Sequence, residues 1–196
     1  MKWFQPIECD NTINNPMVCD YDNLEECGYD EWSFKTGQKI TNWNEKIIFH
    51  VKKKSNDGEP DDVLQTSSML PIYSRKLINE LKANRIEGIQ YLPIKIIKFN
   101  NDILNNFIIA NIINFISAFD YDKSEYQRFR DDFPNPNVRG KISSVKNFVL
   151  YKDKLKGMDI IRLAEYEQRF FISEKFKDIF EKNKFTGYSF REIQLI

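Results

Sequence analysis

The chain has 196 residues, 41% of them hydrophobic and 14% aromatic, which is enough apolar material for a compact core and too much for a disordered chain. Lysine plus arginine equals aspartate plus glutamate at 29 each, and the pI is near 6.6. Such a balance leaves no overall field to recruit nucleic acid or an anionic membrane.

The charge is nevertheless uneven. Before Phe34, Glu8, Asp10, Asp20, Asp22, Glu25, Glu26, Asp30 and Glu31 are opposed only by Lys2, so the remainder carries a matching positive surplus. That division can steer a basic partner toward one face. Cys9, Cys19 and Cys27 form an odd set without a Cys-x-x-Cys pair, and residues 1–6 lack the apolar run of a signal peptide. The longest apolar stretch, 107–119, is broken by Asn111, Asn114 and Ser117 and falls short of the ~20 residues a spanning helix needs. A reducing, cytoplasmic setting is expected, with neither membrane nor nucleic acid as partner.

In chain order, residues 1–68 predict short strands at 2–5, 17–21, 32–35 and 47–53, separated by Asn-, Asp- and Gly-rich turns. Ser55-Asn56-Asp57-Gly58-Glu59-Pro60-Asp61-Asp62 marks the clearest loop. A boundary near Ser67 divides an acidic, β/loop-rich segment, 1–68, from an α+β unit, 69–196. Ser74 then caps a helix over about 74–85, with Leu77, Ile78 and Leu81 on one face and Gly88 beyond its end. Residues 89–99 predict a strand that is bulged or at an edge at Pro93. Residues 107–119 read as buried strand on their Ile and Phe content, although polar residues at every third position also suit a helix. Further strands are expected at 146–151, 159–163 and 169–172. A second helix follows over 173–183 with Phe176, Ile179 and Phe180 inward, and 188–193 closes the sheet. The fold class is α+β: a mostly antiparallel sheet with two main helices.

One internal echo stands out. Ser74, Lys76, Leu77, Leu81, Asn84, Ile86 and Gly88 are matched at one constant offset by Ser173, Lys175, Phe176, Phe180, Asn183, Phe185 and Gly187. Any capped helix feeding a strand wants these residue types, and that is the preferred reading of so short a match. A duplicated helix–strand unit is the alternative.

Chemistry-bearing patterns are weak. His50, the sole histidine, sits between Phe49 and Val51 and reads as a structural residue. Cys9, Cys19, Cys27 and His50 have the ligand types for zinc but not the paired spacing, so buried thiols are expected. Asp120-Tyr121-Asp122-Lys123-Ser124 is similar to the start of a calcium loop, yet Glu125 stands where glycine is required and Asp131 where glutamate is. It reads as a polar turn. No glycine-rich phosphate loop exists, and carboxylate pairs such as Asp20/Asp22 or Asp131/Asp132 are expected by chance in so charged a chain. No catalytic residue, metal or cofactor is expected. The competing reading is a small metal-dependent hydrolase or nuclease whose carboxylates converge in one pocket. A subunit of a larger assembly, with an exposed self-complementary apolar patch, is a third. The oligomeric state stays open.

Several segments after residue 69 occur in an order that resembles an immunity protein family of bacterial polymorphic toxin systems, the immunity family eleven type. They are Leu70-Pro71-Ile72-Tyr73-Ser74, Tyr91-Leu92-Pro93-Ile94, Ala110-Asn111-Ile112-Ile113, and Asp120 followed by Ser124-Glu125-Tyr126. Ile160-Ile161-Arg162-Leu163, Phe171-Ile172-Ser173-Glu174-Lys175 and Thr186-Gly187-Tyr188-Ser189-Phe190 complete the set. The resemblance spans about 69–196 and implies an α+β antidote, not an enzyme, that binds and silences a cognate toxin. It brings no catalytic residues, and residues 1–68 carry none of its motifs, which makes them a candidate for partner recognition. Asp20, Asp22, Glu25, Glu26, Asp30 and Glu31 would form the steering surface, with Tyr21, Tyr29 and Trp32 as aromatic anchors. A solvated acidic loop over buried aromatics is the plainer reading of the same residues.

Overall fold

The computed structural model describes residues 1–8, 18–21, 23–51, 60–66 and 69–196, and these form an α+β fold of two helices and mixed, curled sheets. The first part of the chain supplies β1 (Trp3–Glu8), β2 (Val18–Tyr21), β3 (Ile48–Val51), β4 (Val63–Thr66) and β5 (Ile72–Ser74). Helix α1 (Arg75–Ala83) follows, then β6 (Ile89–Pro93), β7 (Lys95–Ile97) and β8 (Ile103–Leu104). The second part supplies β9 (Phe107–Ile112), β10 (Phe115–Ile116), β11 (Glu125–Arg128), β12 (Ile142–Asn147), β13 (Val149–Leu150), β14 (Ile160–Leu163) and β15 (Phe170–Ser173). It ends with α2 (Glu174–Lys182), β16 (Tyr188–Glu192) and β17 (Gln194–Leu195). Eight strands pair in the order β6-β9-β5-β4-β2-β3-β7-β8, and five in the order β10-β14-β15-β1-β16. No described helix is long and apolar enough to cross a membrane.

Both helices lie where capping serines and apolar spacing put them. Several strands differ from the sequence reading. Residues 32–35 are not a strand: Glu31–Phe34 is a 3-10 turn, because the Asp30 carboxylate accepts from the Ser33 amide while the Ser33 hydroxyl accepts from the Asp30 amide. The run 89–99 splits into β6 and β7 at Ile94, after Pro93 has ended the first ladder. The run 107–119 is strand, as expected, but in two pieces, and every residue of β9 is buried. β4, β5 and the β11–β12 hairpin were not anticipated. Among the described residues most strand pairs are antiparallel, but β2–β4, β3–β7, β10–β14 and β13–β17 pair in parallel, so the sheets are mixed. Of the loop expected at 55–62, residues 55–59 lie outside the described residues, and 60–62 lead into β4 without regular structure.

The strand registers reveal a duplication far larger than the helical echo. β1, β2, β3, β4, β5, α1, β6 and β7 correspond in order to β9, β10, β13, β14, β15, α2, β16 and β17. Val63 lies opposite Tyr73 and Leu64 opposite Ile72, as Ile160 lies opposite Ile172 and Ile161 opposite Phe171. Val18 pairs in parallel with Gln65, as Phe115 does with Arg162; Ile48 pairs in parallel with Lys95, as Val149 does with Gln194. Helix ends match atom for atom. The Ser74 hydroxyl accepts from Leu77 N at 3.2 Å and donates to Asp62 Oδ1 at 2.6 Å; Ser173 accepts from Phe176 N at 3.2 Å and donates to Asp159 Oδ1 at 2.7 Å. Asn84 and Asn183 each donate back to the carbonyl four residues earlier, and Arg85 and Lys184 both take φ of 55°. Capping chemistry alone is therefore too small an account of the echo.

The two repeats exchange their first strands. β1 lies between β15 and β16 of the second repeat, while β9 lies between β5 and β6 of the first. The register is again common: Trp3 opposite Ser173 answers to Phe107 opposite Ser74, and Glu8 opposite Tyr188 answers to Ile112 opposite Ile89. Strand alternation then divides the apolar residues. One face of each sheet fills its own curl, with Leu64, Ile72, Phe107 and Phe49 in the first and Ile161, Phe171, Trp3 and Leu150 in the second. The other faces share a central core with both helices, where Leu77 and Leu81 of α1 meet Phe176 and Phe180 of α2 over Val63, Ile160, Phe4 and Ile108.

Gly187 stands at the crossover between repeats. Its φ is +105°, and a Cβ there would lie 2.6 Å from the Val63 carbonyl oxygen. Gly157 also has positive φ, at +77°, but faces open space. In denaturant unfolding Gly157→Ala should cost about 1 kcal/mol for its backbone alone. Gly187→Ala should cost about 2 kcal/mol more, because the clash is with backbone that cannot rotate away. Equal losses would contradict the tight crossover.

Candidate functional site

The repeats differ chiefly in what each inserts after its second strand. In the first repeat, residues 23–46 fold back onto the protein. Leu24 and Phe34 are buried in the first curl, and Asn23 closes the base of the insertion by donating to Lys46 O at 3.0 Å and accepting from Ile48 N at 2.9 Å. Tyr29 packs on Trp43 with ring centroids 5.2 Å apart, and its hydroxyl donates to the Asn42 carbonyl. Asp30 is occupied as the cap of the 3-10 turn, and those hydrogen bonds hold its carboxyl below the ordinary carboxylate range. Glu25, Glu26 and Asp30 are exposed, as is Trp32 at 44%, with Lys35 Nζ 4.8 Å from its ring centre. Asp20 is half-buried on β2 opposite His50. Asp22 and the side chains of Tyr21 and Glu31 lie outside what the structure describes.

The insertion of the second repeat also packs on its own curl, through Phe119, Ile142 and Phe148, but leaves the other side of a hairpin, β11–β12, in solvent. Asp120 anchors it: the buried carboxylate accepts from Asp122 N at 2.8 Å and Lys123 N at 3.0 Å, forming the expected polar turn. Tyr121 leaves that turn 42% exposed, stacked edge-on against buried Phe119 at 5.2 Å. The β11–β12 ladder shifts register on both sides of Tyr126 and Gln127, and such irregularities re-aim side chains. Here they carry the Arg128 guanidinium over two rings, 5.1 Å from Tyr121 and 5.3 Å from Tyr126, while Nη1 donates to Gly140 O at 2.7 Å.

Beside this ladder opens a recess of about 550 Å³ lined by Tyr121, Arg128, Arg139 and Lys141 together with Glu165 and Glu167. An adjoining cleft of about 60 Å³, also lined by Lys141, Glu165 and Glu167, brings in Trp32 with Phe129 and Tyr166. The two insertions thus converge on one face. Of the residues expected from sequence, Trp32 reaches it and Tyr29 does not. Tyr121 and Arg128 were missed, although Tyr121, Tyr126 and Arg128 within one polar segment was a readable signal for an aromatic–cation surface.

Other arrangements lead elsewhere. Cys19 is wholly buried on β2, where burial pushes its thiol up to about 12, whereas His50 on β3 is exposed; they point to opposite faces of one sheet, and Cys9 lies outside the described residues. Among the described residues no three His, Cys, Asp or Glu side chains group closely enough to hold a metal ion. The central core holds a polar set, Tyr73, Tyr188 and Arg162. Burial raises both phenols and lowers the guanidinium to about 10, and Arg162 Nη1 donates to Glu167 O at 2.5 Å. Burial also lifts Glu8, opposite Tyr188, to about 7, against the pull of Arg169.

A carboxyl raised on folding binds its proton more readily in the native than in the unfolded chain. The resulting stabilisation is fully present below the ordinary value of 4.5 and is lost as pH rises through about 7. Denaturant titrations between about pH 5 and about pH 8 should show falling stability in the native sequence and a flatter profile in Glu8→Gln. Parallel profiles would remove Glu8 as the source.

The sequence model of the Imm11 immunity protein family matches residues 4–195, so the match includes the N-terminal part that the sequence reading had left outside. No curated protein sequence matches the chain. The chain belongs to the Imm11 immunity protein family.

Proposed function

We propose that this member of the immunity family acts in the cytoplasm by binding a cognate toxin and neutralising it by occlusion, through the face where its two insertions meet. The carrying observation is that the repeats share their strand registers and helix caps yet differ in these insertions, which expose Tyr121 and Arg128 at a recess and Trp32 at the cleft adjoining it. Tryptophan, tyrosine and arginine are the residue types that dominate binding energy at protein interfaces. Here the ring stack and the hydrogen bond to Gly140 hold Arg128 in place beforehand, which reduces the ordering cost of association.

The acidic stretch before the boundary near Ser67 has a different role. Asp20, Asp22, Glu25, Glu26, Asp30 and Glu31 steer a basic toxin toward the face, while Trp32, Tyr121 and Arg128 hold it. Tyr29 supports this surface from within, through Trp43 and Phe34. Among the described residues the one carboxyl raised to about 7, Glu8, lies opposite Tyr188 of the exchanged strand pair and does not line the recess, which counts against the hydrolase reading.

Calorimetry against the toxic domain encoded beside this chain tests the assignment. Trp32→Ala, Tyr121→Ala and Arg128→Ala should each raise Kd about 30-fold, a loss of about 2 kcal/mol. Unchanged affinity in all three would remove this face. In stopped-flow association, Glu25→Lys with Glu26→Lys should slow binding and weaken its salt dependence while leaving dissociation nearly constant. An on-rate equal to that of the native chain at every ionic strength would remove the steering role.

A further inference from the structure

The first repeat carries a strap that the second lacks. Residues 40–43 run beside β6 in the same direction: Ile40 N donates to Gln90 Oε1 at 2.9 Å, Gln90 Nε2 donates to Ile40 O at 2.7 Å, and three residues on Trp43 Nε1 donates to Pro93 O at 2.7 Å. Asn111 ties the strap's start by donating to Gln38 O at 3.0 Å. Beneath it Leu92 and Ile109 are buried in the first curl.

By the shared register, β6 answers to β16, Leu92 to Arg191, Pro93 to Glu192, and Ile109 to Gln5. β16 is the last strand of its sheet, and the corresponding insertion has gone instead into the β11–β12 hairpin, so among the described residues no strap lies along it. A recess of about 250 Å³ stands there, between β16 and the start of β13, lined by Gln5, Lys123, Lys146, Asn147, Arg191 and Glu192. Its floor is mixed, with Gln5 and Arg191 beside Phe148, Val149 and Ile193, where that of the first repeat is apolar. Its cations exceed its carboxylates: Lys146 reaches Glu125 at 2.7 Å and Glu192 reaches Lys2 at 2.8 Å, both pairs more than half exposed and readily exchanged.

We propose that this recess receives an extended, carboxylate-bearing segment of the toxin, laid along β16 as residues 40–43 lie along β6. An unpaired edge strand is a ready template for such a segment, and Lys123, Lys146 and Arg191 select for negative charge. The inference rests on the toxin-binding reading above and adds a second contact on the far side of the hairpin, so the toxin presents an acidic extended segment as well as a basic face.

Amide exchange on the full chain, free and with the toxic domain encoded beside it, tests this. Slowed exchange is expected across residues 188–193 in the complex. Lys123→Glu combined with Arg191→Glu, both on exposed side chains, should raise Kd about 10-fold and abolish that protection, while protection at the Trp32–Tyr121 face persists. Unaltered exchange at 188–193 in a complex that forms with native affinity would overturn the recess assignment and leave the toxin-binding reading standing. Failure of the native chain to bind the toxic domain at all would overturn both.

Discussion

Each repeat borrows the strand that holds its sheet together. β9 supplies the partner for both β5 and β6, and β1 does the same for β15 and β16; each therefore bonds on two edges to the other half of the chain. Reciprocal exchange of this kind is familiar from swapped dimers, where identical elements trade places between protomers. Within one chain it makes the halves mutually dependent, and the two helices bury their apolar faces in the one core that both sheets share. Gly187 against Val63, Gly88 against Asn114 and Gly37 against Phe115 bring one repeat so close to the other that a Cβ would clash there.

A scaffold fixed twice over leaves its insertions to vary. Both insertions add packing, Leu24, Phe34, Tyr29 and Trp43 on one curl and Phe119, Ile142 and Phe148 on the other; the second also carries an aromatic–arginine ladder on its outer side. Occlusion of a toxin requires a rigid body with prearranged anchors and no polarised nucleophile. Trp32 and Tyr121 stand on opposite insertions, so the exchanged scaffold determines their separation.

Much of the fold was legible because it rests on local chemistry. Ser74 and Ser173 mark both helices, and the Ile and Phe content of 107–119 marks buried strand. What escaped depends on distant partners. The Trp-Ser-Phe alternation at 32–34 imitates a strand, and only the Asp30 cap turns it into a 3-10 segment. The duplication stayed hidden because insertions shift the spacing of equivalent residues: Ser74 answers to Ser173 at one offset, Val63 to Ile160 and Trp3 to Phe107 at others. At the site, acidity drew attention to residues 20–32, yet Tyr29 turns inward, while Tyr121 and Arg128 gain their geometry from a hairpin that periodicity alone does not announce.

A crystal structure of the chain bound to the toxin proposed as its partner tests the central claim most directly. The account predicts that Trp32 and Tyr121 are covered together by the toxin, with Arg128 still lying over the rings of Tyr121 and Tyr126. A complex that leaves both aromatic side chains in solvent, with the toxin seated on another surface, would contradict it.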